Sequence, residues 1–290
     1  MLLGIVLGLC ASASWALANV AVQRSARHVG AFRAILWAQI IGGAAVALAL
    51  PLDVRTAAPA PIDALWVLAV GAAGLLAYVC LFYAFEHGRL TIAVPVMSSW
   101  AVIAAGLSLA IFREPVRPLQ LVGATGVVAG AVVVSRFARA TTAGVSGAPR
   151  GARAPRWLLA SFGAALGFGL LIPAIGLLTP VVGRLGVIPV TYAADIALGL
   201  PLAWRFRVSL APPRGRAWVA VALAGVFETA GFACIVLAGR YAPLALVSPL
   251  SSLASAFTVL YAWAVLRERP ARPVLIGAAL VCAGVITLAL

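Results

Sequence analysis

Residues 93–100 read AVPVMSSW, and residues 246–253 read LVSPLSSL. Each stretch lies inside a long apolar run, and each sets a proline just ahead of paired serines. Proline has no N–H and displaces the helical hydrogen bond to the carbonyl four residues earlier, here Thr91 for Pro95 and Ala245 for Pro249. In hydrocarbon, a carbonyl released in this way is costly unless protein or water meets it. Taken singly, either stretch predicts a mild kink with its hydroxyls bonded back to their own turn. Taken together, they predict two broken helices whose Ser98, Ser99, Ser248, Ser251 and Ser252 line a wet cavity.

The pairing rests on a repeat. A shift of 154 residues (249 − 95) places Pro95 on Pro249 and Ser98 on Ser252. The same shift places Arg113 on Arg267, Glu114 on Glu268, Gly123 on Gly277 and Gly130 on Gly284. Breaks marked by Arg, Pro, Asp or Gly divide the chain into ten apolar runs, near 2–22, 31–50, 64–86, 90–112, 119–137, 157–179, 187–204, 216–238, 242–266 and 273–290. A helix needs about 20 such residues to cross a bilayer, and the runs lack the alternating polarity of barrel strands. The longest break, 138–156, is rich in Ala, Gly, Arg, Thr and Pro and reads as a linker. It separates a first five-helix repeat, 1–137, from a second, 157–290. An odd number of spans per repeat makes the second enter the membrane from the opposite face. The expected fold is all-α: ten transmembrane helices forming two inverted five-helix repeats around a central cavity, an arrangement suited to alternating access.

Composition agrees. The 290 residues are 64% hydrophobic and 10% charged, with mean hydropathy +1.12. A soluble domain carries about 25% charged residues, so lipid must be the solvent for this surface. The net charge of +14 comes entirely from 21 arginines, which fall in the short breaks between runs. That placement suits membrane retention and not nucleic-acid binding. Cys10, Cys80, Cys234 and Cys282 sit in four different runs with no CxxC or Cys/His spacing, which leaves neither a zinc site nor a disulfide framework. Residues 2–22 read as a first span and not a signal peptide, because no basic region precedes the apolar run.

At this point the chain resembles the drug/metabolite transporter superfamily, and within it the EamA-type permeases with ten helices. The matching stretches are SASWALANVAVQRSA (12–26) in the first helix and AFEHGRLTIAVPVMSSWAVIAAGLSLAIFREP (84–115) across the third and fourth. QLVGATGVVAGAVVV (120–134), APLALVSPLSSLASAFTVLYAWAVLRERP (242–270) and VLIGAALVCAGVITL (274–288) fit the fifth, ninth and tenth. The resemblance implies a basket lined by helices 1, 3, 4, 6, 8 and 9, with 5 and 10 peripheral. It also implies export of small metabolites, and it matches the family's helix-end carboxylates to Glu114 and Glu268. It identifies the fold well and the substrate hardly at all.

The polar residues that lipid would reject are the informative ones. Asp53 and Asp63 fall in a loop; Glu114 and Glu268 stand at helix ends beside Arg113 and Arg267, an interfacial ion pair or a gate. Glu86, beside His87 and Arg89, admits the same two readings. Asp195 and Glu228 lie mid-span with no Lys or Arg in the interior of either run. A carboxylate there costs about 2.5–3.5 kcal/mol on insertion scales, tolerable only if it faces a cavity, pairs or takes up a proton. Glu228 first, and Asp195 second, are therefore candidates for proton coupling or for contact with a cationic solute. A hydrogen bond to Thr229, Tyr192 or Thr191 is the plain structural alternative.

Trp15 and Asn19, one turn apart on one face, are the best cavity candidates of the first half, followed by Tyr78, Tyr83, Trp100 and Tyr261. Trp37, Trp66, Trp157, Trp204 and Trp218 stand near helix ends, where aromatics form the interfacial belt. Gly126 and Gly130, like Gly4 and Gly8, have GxxxG spacing for close helix approach. It is read as packing within one chain, so a monomer is expected over a dimer.

Five arginines fall on the terminal side of the membrane and sixteen on the other. By the positive-inside rule both termini face outward, whereas members of the resembled family commonly have both inside. The functional expectation is a secondary transporter in a bacterial cytoplasmic membrane. It exports a small polar or amphipathic metabolite, amino-acid-like or drug-like, by alternating access and with possible proton coupling. A translocator of lipid-linked or nucleotide-linked sugars is the alternative within the superfamily. A channel or an intramembrane enzyme is the alternative outside it, and the two histidines, His28 and His87, lie near loops and give an enzyme little to work with. There is no phosphate-binding G-x-x-x-x-G-K-[ST] loop, and no cofactor or metal is expected.

Overall fold

The computed structural model describes residues 2–49, 61–100, 102–103, 106–107, 118–146, 155–183, 186–238, 241, 244–264 and 271–288. In chain order the helices are α1 Leu2–Val29, α2 Ala31–Ala49, α3 Pro61–His87, α4 Leu90–Met97 and α5 Pro118–Ser146. The second half holds α6 Arg156–Val182, α7 Val187–Arg205, α8 Arg216–Ala238, α9 Leu244–Ala264 and α10 Arg272–Leu288. No strand occurs among the described residues. α1, α2, α3, α7 and α8 contain stretches long and apolar enough to cross a bilayer, and shorter apolar stretches lie in α5, α6, α9 and α10.

Several boundaries differ from the sequence expectation. α1 continues through residues 23–29, α3 begins at Pro61 and so takes in Asp63, which was expected in a loop, and α5 continues through residues 138–146 into the break read as linker. Ala138, Ala140 and Ala143 are strong helix formers, and Pro149 stands only beyond the helix end.

The packing repeats when the halves are exchanged. α1 packs on α8 as α6 packs on α3; α1 meets α9 as α6 meets α4; α2 meets α8 as α7 meets α3. Three pairs map onto themselves: α5 with α10, α2 with α7, and α4 with α9. The α5–α10 seam shows the hand of the operation. A Cβ built on Gly284 would lie 2.6 Å from the Gly123 carbonyl oxygen and 2.5 Å from the Val127 nitrogen. One built on Gly130 would lie 2.5 Å from the Gly277 oxygen and 2.8 Å from the Val281 nitrogen. Adding 154 to Gly123, Val127 and Gly130 gives Gly277, Val281 and Gly284, so the two contacts are copies. The low-numbered end of one helix meets the high-numbered end of the other, which makes the pair antiparallel and puts the twofold across the helices. The GxxxG face of Gly126 and Gly130 is thus spent inside the chain. Gly4 and Gly8 of α1 are buried as well.

The broken helix is visible at α4. Pro95 is buried and so faces protein and not lipid. Beyond Met97 the ladder tightens: Ser98 N–H still donates to Val94 O at 2.9 Å, but Ser99 N–H reaches Val96 O and Val102 N–H reaches Ser99 O, at 3.2 and 3.1 Å. These are three-residue steps, which narrow and redirect a helix. The chain is helical again at 100, 102–103 and 106–107.

At one membrane face the helix ends are tied by side chains. Glu86 Oε2 accepts the first amide of α2, Ala31 N–H, at 2.9 Å, a site where the helix dipole favours an anion. Arg27 donates to Glu86 O and Gly88 O at the end of α3, at 3.2 and 3.0 Å, where a cation is favoured. Of the two readings of Glu86, the contacts are those of a structural tie; its ion pair with His87 is stretched to 4.0 Å. Arg33 and Trp37 of α2 strap down the 206–215 segment through the carbonyls of Ala211, Pro212 and Leu210. Trp37 and Trp218 meet edge to face at 5.7 Å. Asp53, Arg113, Glu114, Arg267 and Glu268, with the ion pairs expected of them, lie outside the described residues.

Candidate functional site

Where the helices converge they leave a cavity of about 110 Å³. α1 contributes Trp15 and Asn19, and α4 contributes Val94, Met97 and Ser98, with Trp100 just beyond. Phe168 of α6, Glu228 and Phe232 of α8, and Ala254 and Ser255 of α9 face them. Leu81 of α3 and Val285 of α10 complete the wall. Six of these helices are those that the resemblance implies; α10 touches the cavity through one side chain while otherwise packing on α5.

The aromatic walls are built twice. Trp15 and Phe232 meet at 5.3 Å and 79°, while Tyr78 and Phe168 meet at 5.3 Å and 81°. Phe232 is Tyr78 shifted by 154, and Phe168 is Trp15 shifted by 153, so exchanging the halves interchanges the pairs. Each is an edge-to-face contact of the kind aromatic rings favour. Gly231 leaves room for the first: a Cβ there would collide with the Trp15 indole nitrogen.

The polar groups sit between these rings. Asn19, 7% exposed, donates to Thr258 Oγ1 at 2.9 Å, joining α1 to α9. Ser98 hydrogen-bonds Ser255 across the α4–α9 contact while also donating to Val94 O. Both expectations for Ser98 are therefore met in one residue: it bonds to its own turn and it faces the cavity. Ser99 only bonds back, to Val96 O at 2.8 Å. Trp15 Nε1 is buried with no hydrogen-bond partner.

Trp15, Asn19, Ser98, Trp100 and Glu228 are thus brought together. Tyr78 and Tyr261 are not in that wall: Tyr78 lines a smaller void next to it, and Tyr261 packs against the main core. The break expected at Pro249 does not occur: α9 is continuous from Leu244 to Ala264, so only α4 is interrupted, and the side chains of Ser248, Pro249, Ser251 and Ser252 lie outside the described residues. Sequence reasoning missed Ser255, Met97, Phe168 and Phe232. Ser255 had a signal, since it falls one turn beyond Ser251 and Ser252; the others look like ordinary core.

A second polar set lies behind the first. Asp195 of α7 is 0% exposed, and Gln39 Nε2 of α2 donates to its Oδ2 at 2.6 Å. Tyr192 and Thr229 hydroxyls meet at 3.2 Å. The expected alternatives for the acids are resolved differently: Thr229 pairs with Tyr192, Thr191 bonds back to Val187 O, and Asp195 takes a partner, Gln39, that was not foreseen. Glu228 lies near the Tyr78 hydroxyl and borders both the cavity and the smaller void. Gly74 makes room for Asp195, because a Cβ there would stand 2.5 Å from Oδ1 and 2.9 Å from Oδ2. Gly74→Ala is expected to displace the carboxyl from Gln39 and to lower stability by ~1–3 kcal/mol, the usual cost of overpacking. The thermal midpoint in detergent measures it; an unchanged midpoint would show that the site yields freely. The four cysteines are free, and no group of three metal-ligating side chains exists among the described residues.

A model of the EamA-like transporter family matches the chain twice, over residues 2–136 and 155–290. The chain belongs to this family. It is therefore a multi-pass membrane protein of the drug/metabolite transporter type. A solved structure titled only as the crystal structure of a protein is similar at 21% identity and TM-score 0.66, covering 98% of this chain and 95% of that one. The likeness supports the fold alone. The chain matches no curated protein.

Proposed function

We propose that this EamA-like protein is a secondary active exporter of a small amphipathic or cationic metabolite, working by alternating access as a monomer in a bacterial cytoplasmic membrane. The observation that carries the reading is the cavity: aromatic faces, two hydroxyls, the Asn19 amide and one carboxyl, Glu228, with no Arg, Lys or His among the described residues of its wall. Such a surface attracts a protonated amine through the carboxyl and through the ring faces, and its described wall offers an anion no positive charge. Its volume argues against the sugar-translocator alternative, since even drug-sized ligands occupy sites of roughly 300–1,000 Å³. Repeats 1–137 and 157–290 would rock about the site, with Glu228 binding either a proton or the solute.

The test is a toxicity screen. Cells overexpressing the chain are challenged with a panel of small amines, amino acids and anionic metabolites. Resistance to amine or zwitterionic compounds, lost in a Trp15→Ala Asn19→Ala variant that still reaches the membrane, is the expected result. Resistance confined to anions would overturn the proposal.

A further inference from the structure

The Gln39–Asp195 pair has a hydrogen-bond count that does not close. Asp195 Oδ2 accepts from Gln39 Nε2, yet Asp195 Oδ1 and Gln39 Oε1 are both buried acceptors with no partner. The Leu75 backbone amide also faces this carboxyl, but Oδ1 remains unmet. An orphan acceptor in a dry interior forfeits the hydrogen bond it had in water, at a cost that grows when the group is charged. Two in one pair is a defect that native structures rarely keep.

A single proton could remove both: a hydrogen on Asp195 Oδ1 that reaches Gln39 Oε1, with Gln39 Nε2 donating back to Oδ2, would close an acid–amide ring. Reversing the amide does not escape the need, because Oε1 would then face Oδ2 and still require a hydrogen between them. The 2.6 Å separation suits the reversed form with hydrogen on Oδ2, being short for N–H···O and ordinary for O–H···O. A metal ion is a poorer fit, since hard cations take about six oxygen ligands and only two acceptors are free.

Among the described residues nothing cationic compensates the carboxyl. The titratable groups about it are Tyr78 of α3, Tyr192 of its own helix and Glu228 of α8. α2 presents Gln39, and α3 presents Gly74 as well as Tyr78. The site is nevertheless connected. Gln39, Tyr78, Tyr192 and Glu228 share the wall of one void of about 10 Å³, roughly the room for a single water. Glu228 also borders the cavity.

We propose that Asp195 and Gln39 form a buried proton-binding site, filled from the central cavity by way of Glu228. In the transfer a proton leaves the Glu228 carboxyl at the small void and one is gained by the Asp195 carboxylate, which meets that void through its partner Gln39. Glu228 ends as the anion and Asp195 as the neutral acid. The role of this site in transport rests on the proton-coupled reading of Glu228; its protonation does not.

Infrared spectroscopy of the protein in lipid vesicles tests both parts. A carboxylic-acid C=O band is expected at neutral pH, absent in Asp195→Asn and shifted in frequency in Gln39→Leu. Carboxyl-labelled aspartate must shift the same band in the unaltered chain, a check that needs no substitution to fold. In Glu228→Gln the band persists, but its exchange into deuterated water slows severalfold. No aspartic-acid band at neutral pH overturns the site, and unchanged exchange in Glu228→Gln overturns the route. Vesicle flux separates this from the transport reading: a band without proton-driven flux defeats the exporter alone, and proton-driven flux without a band defeats the site alone.

Discussion

Gly284→Val is expected to prevent the protein from assembling as a stable, monodisperse particle. The Cβ alone would lie 2.5 Å from the Val127 nitrogen and 2.6 Å from the Gly123 oxygen, both of them backbone atoms. No side chain can swing aside, so α5 and α10 must separate along their length. Overpacking costs ~1–3 kcal/mol even where neighbours can adjust, and here the contact recurs at Gly130 against Gly277. Close approach of small residues is a main source of helix association where lipid removes the hydrophobic drive. Size-exclusion profile and thermal midpoint in detergent are the measurements. Gly106→Ala, whose Cβ would meet nothing within 4 Å, serves as the control and should match the parent. A Gly284→Val protein with parental profile and midpoint would show that the seam is not a structural contact.

Glu228→Gln is expected to abolish accumulation driven by a pH gradient while leaving solute binding measurable. Glutamine keeps the shape and the hydrogen bonds but carries neither charge nor exchangeable acid proton, and it cannot alternate between the two occupants proposed for Glu228. In reconstituted vesicles the unaltered protein should concentrate solute against its gradient as the pH difference is raised. The variant should give only equilibration, with a rate flat across pH. A neutral amphipathic solute should lose less binding than an amine, because only the amine uses the carboxylate. Gradient-driven accumulation that survives in Glu228→Gln would remove this residue from the coupling step.

The fold was legible because its determinants are local or periodic. Apolar run length, the arginine breaks and the shift of 154 are read directly from the chain, and the Gly123/Gly277 and Gly130/Gly284 equivalences became contacts. The cavity was partly legible, through residues that lipid penalises: Asn19, Ser98 and Glu228 stand out in apolar runs wherever they face. Gln39 did not, although it is equally buried, because a single neutral amide scarcely alters the hydropathy of α2. Its meaning arises only when α2 meets α7 and places it on Asp195, a juxtaposition across 156 residues of chain. Phe168 and Phe232 were invisible for a similar reason. An aromatic in a span is ordinary until packing shows which ring it touches.

An object whose two halves can trade places offers two mouths of equal standing, one on each side of the bilayer, and identical halves would favour neither. Here the aromatic pairs and the glycine contacts obey that exchange, whereas the acids do not: Asp195 and Glu228 both belong to the second half. Any preference for opening to one side must therefore come from residues that break the likeness, and these two carboxyls are the strongest such difference in the membrane interior. On the transport reading proposed above, the scaffold would supply reversibility and these lopsided carboxyls direction.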